Sequence, residues 1–250
     1  MNPIDKPLVY LILGAAGSDR RALVLDLIAN GLEEEDKVAV LISATETPDE
    51  LDANLPGLIR WEWTDNSIEV ELPTDASHIF FVSDGRRNPI DQVEALKVWL
   101  EQVGAELGRI LCVANCKFIE ANPPLKAWYD ACLHFSDVAL LNHRDGVANK
   151  WMSDFQSRYK DQFMPLLFEF VKAGHVKNAT IVLDPVARRI AHLFDDEPNW
   201  IISGGDDEEV AEGNEEVEAA PEEDPYLARH AGGRRVKEIP DISKFLPPME

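Results

Sequence analysis

The 250 residues carry 46 acidic and 24 basic side chains, a formal net charge of −22, and are 45% hydrophobic. The length suits one α/β domain of about 200 residues plus an extension. The charge excludes a general nucleic-acid binder and a ligand of anionic membranes, because both need clustered lysine and arginine. No apolar run approaches the roughly 20 residues that cross a bilayer, and the start MNPIDKPLVYLILG has no basic region followed by a cleavage site, so a cytoplasmic protein is expected.

Leu8 to Leu13 is the first predicted strand. It runs into Gly14-Ala15-Ala16-Gly17 and then an amphipathic helix from Arg20 to Asn30, with Leu23, Leu27 and Ile28 on one face and Gly31 as a stop. Lys37 to Ile42 is a second strand. Trp61 to Trp63 and Ile68 to Leu72 alternate with period two, as edge or hairpin strands do. His78 to Val82, Arg109 to Ala114 and Val138 to Leu141 are continuous apolar runs that suit a parallel sheet covered on both faces. Helices are predicted at Asp91–Val103 and Ser153–Ala173, the latter kinked at Pro165, then a strand at Thr180–Leu183 and a helix at Pro185–Phe194. Strands alternating with helices predict a doubly wound α/β fold with a mainly parallel sheet over residues 1–202. Ligands of such sheets bind beyond the carboxyl ends of the strands, here at 14–21, 83–89, 115–118 and 142–146. The three cysteines, Cys112, Cys116 and Cys132, have neither framework nor zinc spacing and read as small buried hydrophobes.

The passage from strand to glycines to helix stands where a phosphate loop, G-x-x-x-x-G-K-[ST], would stand. In such a loop backbone N–H groups and the helix N-terminus face the phosphates, the lysine neutralises charge and the hydroxyl holds Mg²⁺. The eight positions here are Gly14, Ala15, Ala16, Gly17, Ser18, Asp19, Arg20 and Arg21. Asp19 replaces the second glycine and adds a negative charge; two like charges about 4 Å apart at an effective dielectric near 20 repel by about 4 kcal/mol. Arg20 keeps the lysine's charge with a different geometry, and Arg21 cannot ligate Mg²⁺. Gly14 and Gly17 either begin an anion site completed by the two arginines or merely make a tight turn, with Arg20 pairing Asp19.

Other segments follow in the order of one GTPase class. In HIFFVSDGRRNPIDQV, Gly85 and Pro89 hold the spacing of a switch II loop, with Val82 at the acidic position and Asp84 nearby. ILCVANC ends on Asn115, where an aspartate is usual. Asn142, His143, Arg144 and Asp145 fall about 57 residues after Gly85, at the place of an N-K-x-D motif. On these segments the chain resembles the CobW/HypB/UreG class of P-loop GTPases, and especially its CobW-like metallochaperone branch, over roughly residues 7 to 185. The resemblance implies a guanine site at Asn142, His143 and Asp145, the carboxylate accepting two hydrogen bonds from the base and the His143 imidazole stacking where a lysine stem would pack. It implies a phosphate site at Gly14, Gly17, Ser18, Arg20, Arg21 and Gly85. Residues 22 to 84 hold no cysteine, so the branch's Cys-x-Cys-Cys cluster is missing, and its C-terminal domain has no counterpart. No catalytic or metal-binding residue is nominated.

Eleven acids and no bases lie between Gly205 and Asp224; residues 203–224 therefore read as an acidic, disordered linker. Residues 225–250 regain apolar anchors (Tyr226, Leu227, Ile239, Ile242, Phe245, Leu246) and five basic side chains. They read as a docking peptide for a protein partner or for the chain's own body, or as an unbound solubilising tail. Three functions compete. The first is a degenerate P-loop GTPase-like protein, or pseudo-GTPase: a binding or scaffold module with at most weak GTP or GDP binding. The second is an active CobW-like GTPase or metallochaperone, in which Arg20 stands in for the lysine while Asp84 or Asp19 recruits Mg²⁺. The third is an anion or small-metabolite binder, or an unrelated α/β enzyme.

Overall fold

The computed structural model describes residues 6–195 and 223–248; most of the acidic linker read from the sequence lies outside them. Nine strands form one sheet: β1 (Leu8–Leu13), β2 (Val38–Ser43), β3 (Ile59–Thr64), β4 (Ser67–Glu69), β5 (His78–Val82), β6 (Glu106–Asn115), β7 (Val138–Asn142), β8 (Leu167–Lys172) and β9 (His175–Val176). Their order is β4-β3-β2-β5-β1-β6-β7-β8-β9. Every pairing from β3 to β8 is parallel, and only the two outer ones, β3 with β4 and β8 with β9, are antiparallel. This is the doubly wound, mainly parallel sheet expected from sequence. β1 lies between β5 and β6 and delivers its loop into α1 (Arg20–Gly31), as in P-loop NTPase-like folds.

The strand side chains alternate between two cores. Val9, Leu11 and Leu13 join the face covered by α2 (Pro89–Val103), α4 (Lys126–Phe135) and α5 (Asn149–Lys160). Tyr10 and Ile12 join the face covered by α1 and α6 (Ala179–Leu183), where Leu23, Val24 and Leu27 pack on Val182 and Leu183. A short α3 (Cys116–Ala121) follows β6, with Asn115 capping it through a hydrogen bond from the Phe118 N–H. The three cysteines are buried. Among the described residues, no helix is long and apolar enough to cross a membrane.

The last third of the domain departs from the sequence-based expectation. The helix predicted over Ser153–Ala173 runs instead from Asn149 to Lys160. The chain turns at Phe163 (φ 54°), and Leu167–Lys172 pairs with β7. Pro165 breaks the helix rather than kinking it, and the aromatic, β-branched LFEFVK then takes the open sheet edge. Thr180–Leu183 is helical, not a strand. It is placed by α1, because a Cβ on Gly31 would sit within 2.8 Å of Leu183 and 3.1 Å of Ala179. Pro185–Phe194 forms no helix. Its backbone is held by side chains: Arg109 Nε donates to Val186 O (2.9 Å), and the Arg188 N–H donates to buried Asp137 (2.6 Å). Beyond β4, the alternation expected to continue to Leu72 is not strand.

Residues 223–248 return to the body. Tyr226 and Ile242 are buried in the α2/α4 core, with Leu227, Ile239, Phe245 and Leu246 packed beside them. Of the two dockings expected for this segment, on a protein partner or on the chain's own body, its apolar anchors make the second.

Candidate functional site

The loops after β1, β2, β5 and β7 converge at the carboxyl edge of the sheet, where parallel sheets bind ligands. Gly14 leaves β1 at φ 138° and passes so close to β6 that a Cβ would lie 2.6 Å from Val113 O; only glycine fits. Gly17 turns the chain at φ 75°. Ser18 is buried, and burial pushes the phenol of Tyr129 on α4 well above its ordinary range. Asp19 occupies the position where the phosphate-loop pattern has its second glycine. It adopts the left-handed conformation such a glycine would (φ 60°) and offers α1 no side-chain cap.

Arg20 does not pair with Asp19. Its side chain turns inward, 4% exposed, and divides its guanidinium between Ser83 O at the end of β5 and the Glu46 carboxylate on the loop after β2. Arg21 reaches the same loop: its Nε lies 2.8 Å from Asp52 Oδ1, its NH1 lies 3.5 Å from Glu46 Oε2, and NH2 donates to Thr47 O at 3.0 Å. Arg60 from β3 completes the group on Asp52 and on the carbonyls of Ser43 and Glu46, both 3.2 Å away. Three arginines and two carboxylates, all largely buried, therefore fill the side of the loop that faces β2.

Gly85 closes the other approach. Its carbonyl accepts the Ala16 N–H at 3.1 Å, and a Cβ there would lie 2.3 Å from Ala16 N. One amide of the candidate phosphate loop is thereby engaged by protein. Asp84, also buried, is engaged as well, by Thr45 Oγ1 (2.8 Å), Arg87 Nε (3.0 Å) and the Arg86 N–H (2.9 Å).

On the far side, β7 brings Asn142 and His143 against the loop. Asn142 Nδ2 donates to Ser18 O at 3.3 Å, and His143 Nε2 lies 2.8 Å from Asp19 Oδ2. His143 also holds a left-handed backbone (φ 49°), so two strained non-glycine residues face each other across the site. Asp145 is exposed, and Arg144 stacks on Phe170 of β8 (4.5 Å to the ring centre). The structure thus gathers Gly14, Gly17, Ser18, Arg20, Arg21 and Gly85 at one point, with Asn142 and His143 touching the loop and Asp145 on the surface beside them.

A cleft of about 350 Å³ remains outside the loop, lined among others by Arg20, Arg21, Thr45, Glu46, Asp49 and Arg86. Among the described residues, Arg86 is its one cation without a carboxylate partner. Sequence reasoning missed Glu46, Asp52 and Arg60, whose only signal is charge complementarity across 8 to 31 residues, and missed Arg86, which lies within the segment read as switch II.

No family model matches the chain and no curated protein matches it. Among solved structures it is similar to zinc-bound YjiA GTPase from E. coli and to a zinc-bound triple mutant of YjiA GTPase. Each is 13% identical, covered over 75% of this chain and 67% of that one, with a TM-score of 0.40.

Proposed function

We propose that the chain is a pseudo-GTPase: a P-loop GTPase-like binding or scaffold module of the cytoplasm, with at most weak, metal-independent guanine-nucleotide affinity. The observation that carries this reading is the engagement of Arg20 and Arg21 by Glu46 and Asp52. Phosphoryl transfer needs a cation free to follow the developing charge and a ligand for Mg²⁺. At the lysine position the guanidinium is turned away and neutralised. At the hydroxyl position there is a second arginine in the same ionic group. Asp84, the nearest carboxylate to the switch-like loop, is committed to Thr45 and Arg87.

Titration with GDP and GTP, with and without Mg²⁺, followed by heat release and phosphate production, tests this. Binding that ignores Mg²⁺, or none, is expected; Mg²⁺-dependent turnover would sink the reading in favour of an active CobW-like GTPase. If guanine binds, Asp145→Ala removes its preference over adenine, and unchanged GDP affinity in that variant counts against the base pocket at Asn142–Asp145.

A second reading, a binder of small polyanions, is favoured by one observation. Among the described residues, Arg86 lines the cleft with no carboxylate to neutralise it, beside the N-terminus of the 12-residue α1.

A further inference from the structure

The docked C-terminal segment touches more than the core. Arg235, 8% exposed, sends its guanidinium to Asp91 and Glu94 on the first turns of α2 and donates to Tyr226 O at 3.0 Å. Arg229 adds a second pair with Glu94 at 2.7 Å. At the other end of the segment's start, Asp224 Oδ2 lies 2.7 Å from His134 Nε2 of α4, and Tyr226 packs on the His134 and Phe135 rings, with Lys237 Nζ over its face. Past Ile242 the chain reaches the candidate site itself, where Arg86 NH2 donates to Pro247 O at 2.8 Å. The segment therefore grips the loop 84–88 at Arg86 and, five and eight residues later, the helix that the loop feeds.

These contacts converge on the one cleft cation that the ion pairs among the described residues leave over. From this juxtaposition we propose that residues 224–247 act as a strap in cis, which restrains the β5–α2 loop and withholds Arg86 from anionic ligands of the cleft until the segment lets go. The proposal rests on the polyanion reading of the cleft. Release gives Arg86 back its donors and lets Asp84–Asn88 move away from Ala16. The strap's apolar anchors lie in the core shared by α2 and α4, and its ion pairs to α2 run through Arg229 and Arg235. A partner with an acidic surface that competes for Arg229 and Arg235, or a loss of those charges, would thus raise anion affinity without touching the loop residues.

The test uses the full chain and Arg235→Glu, which sets a carboxylate against Asp91 and Glu94, with Tyr226→Ala as an independent release. Two quantities are read: hydrogen exchange of amides 84–103, and affinity for inorganic pyrophosphate without metal. Both variants are expected to exchange faster over 84–103 than wild type, while amides of β1 and β6 keep their protection. Both are expected to bind pyrophosphate on the order of tenfold more tightly, the worth of one hydrogen bond from a charged donor. Unchanged exchange over 84–103 in both variants, or equal pyrophosphate affinity in a wild type that binds, overturns the strap. Absence of binding in all three proteins sinks the polyanion site and the withholding of Arg86 with it; the restraint of the loop then stands or falls on exchange alone.

Discussion

Replacing Glu46 by alanine puts the ionic group beside the phosphate-like loop to its hardest test. Arg20 and Glu46 have side chains 4% and 8% exposed, and Glu46 also faces Arg21. Without the carboxylate, Arg20 keeps one neutral acceptor, Ser83 O, and stays beneath the loop with its charge unbalanced. Removing one partner of a buried pair costs about 3 to 5 kcal/mol, more than the pair itself contributes, because the remaining charge stays desolvated. In a chain of this size each kcal/mol shifts the melting temperature by about 2 to 4 °C, so Glu46→Ala is expected to melt on the order of 10 °C lower. The same substitution leaves an uncompensated guanidinium beneath the cleft, so pyrophosphate affinity should rise as stability falls. The double variant Arg20→Met/Glu46→Leu removes both charges and should recover most of the stability while gaining no affinity. Urea melts and calorimetry of the three proteins decide the matter. A Glu46→Ala loss under about 1 kcal/mol would mean that Arg20 escapes to solvent, and the group would then be no plug.

Three further expectations follow from the same site and its surroundings. Gly85→Ala forces a Cβ against Ala16 N and Ala15 C, both backbone atoms; it should cost more than about 2 kcal/mol in a urea melt, and a cost near zero would mean that the two loops are not in contact. Asp19→Gly relieves a left-handed aspartate worth about 1 kcal/mol while losing a half-exposed contact to His143 worth less; stability should hold within about 1 kcal/mol and pyrophosphate affinity should rise. A fall in affinity would show the Asp19 carboxylate to be a ligand rather than a barrier. The third concerns Asp224. Burial raises its pKa, but the hydrogen bonds from His134 and from the amides of Tyr226 and Leu227 outweigh that and hold the carboxyl below its ordinary range. A depressed folded-state pKa means that the unfolded segment binds the proton more readily. The stabilisation is thus complete above about pH 4 and is lost as the pH falls through the folded value. Exchange of amides 224–236 should accelerate in that acid window, and Asp224→Asn should abolish the acceleration.

The central part of the fold was legible because its signals are local. β1, its loop and α1, then β2, β5, α2, β6 and β7, are apolar runs or amphipathic stretches bounded by Gly, Asn and Pro, and tertiary packing agrees with them. The helix at Lys126–Phe135 had a signal that went unread: Trp128, Cys132 and Phe135 fall at i, i+4 and i+7 and are all buried. Beyond Lys160 local propensity was the wrong guide. Leu167–Lys172 reads as either element until β7 offers it an edge, and the backbone of Pro185–Phe194 is held by Arg109 and Asp137, which lie at least 48 residues earlier in the chain. The candidate loop was found by its glycines, yet the partners that decide its chemistry were not. Nothing near Arg20 in the sequence points to Glu46 rather than Asp19, and only the placement of the β2 loop over α1 makes that choice.

The ionic group also ties the side chains around the loop to one another. A threonine at position 21 would strand Asp52 with Arg60 as its sole counter-ion, and an alanine at 46 would orphan Arg20. Loss of any one of these charges therefore leaves another buried charge short of a partner. Exchanges here are thus coupled: Arg20, Arg21, Glu46, Asp52 and Arg60 are expected to tolerate concerted replacement better than single replacement.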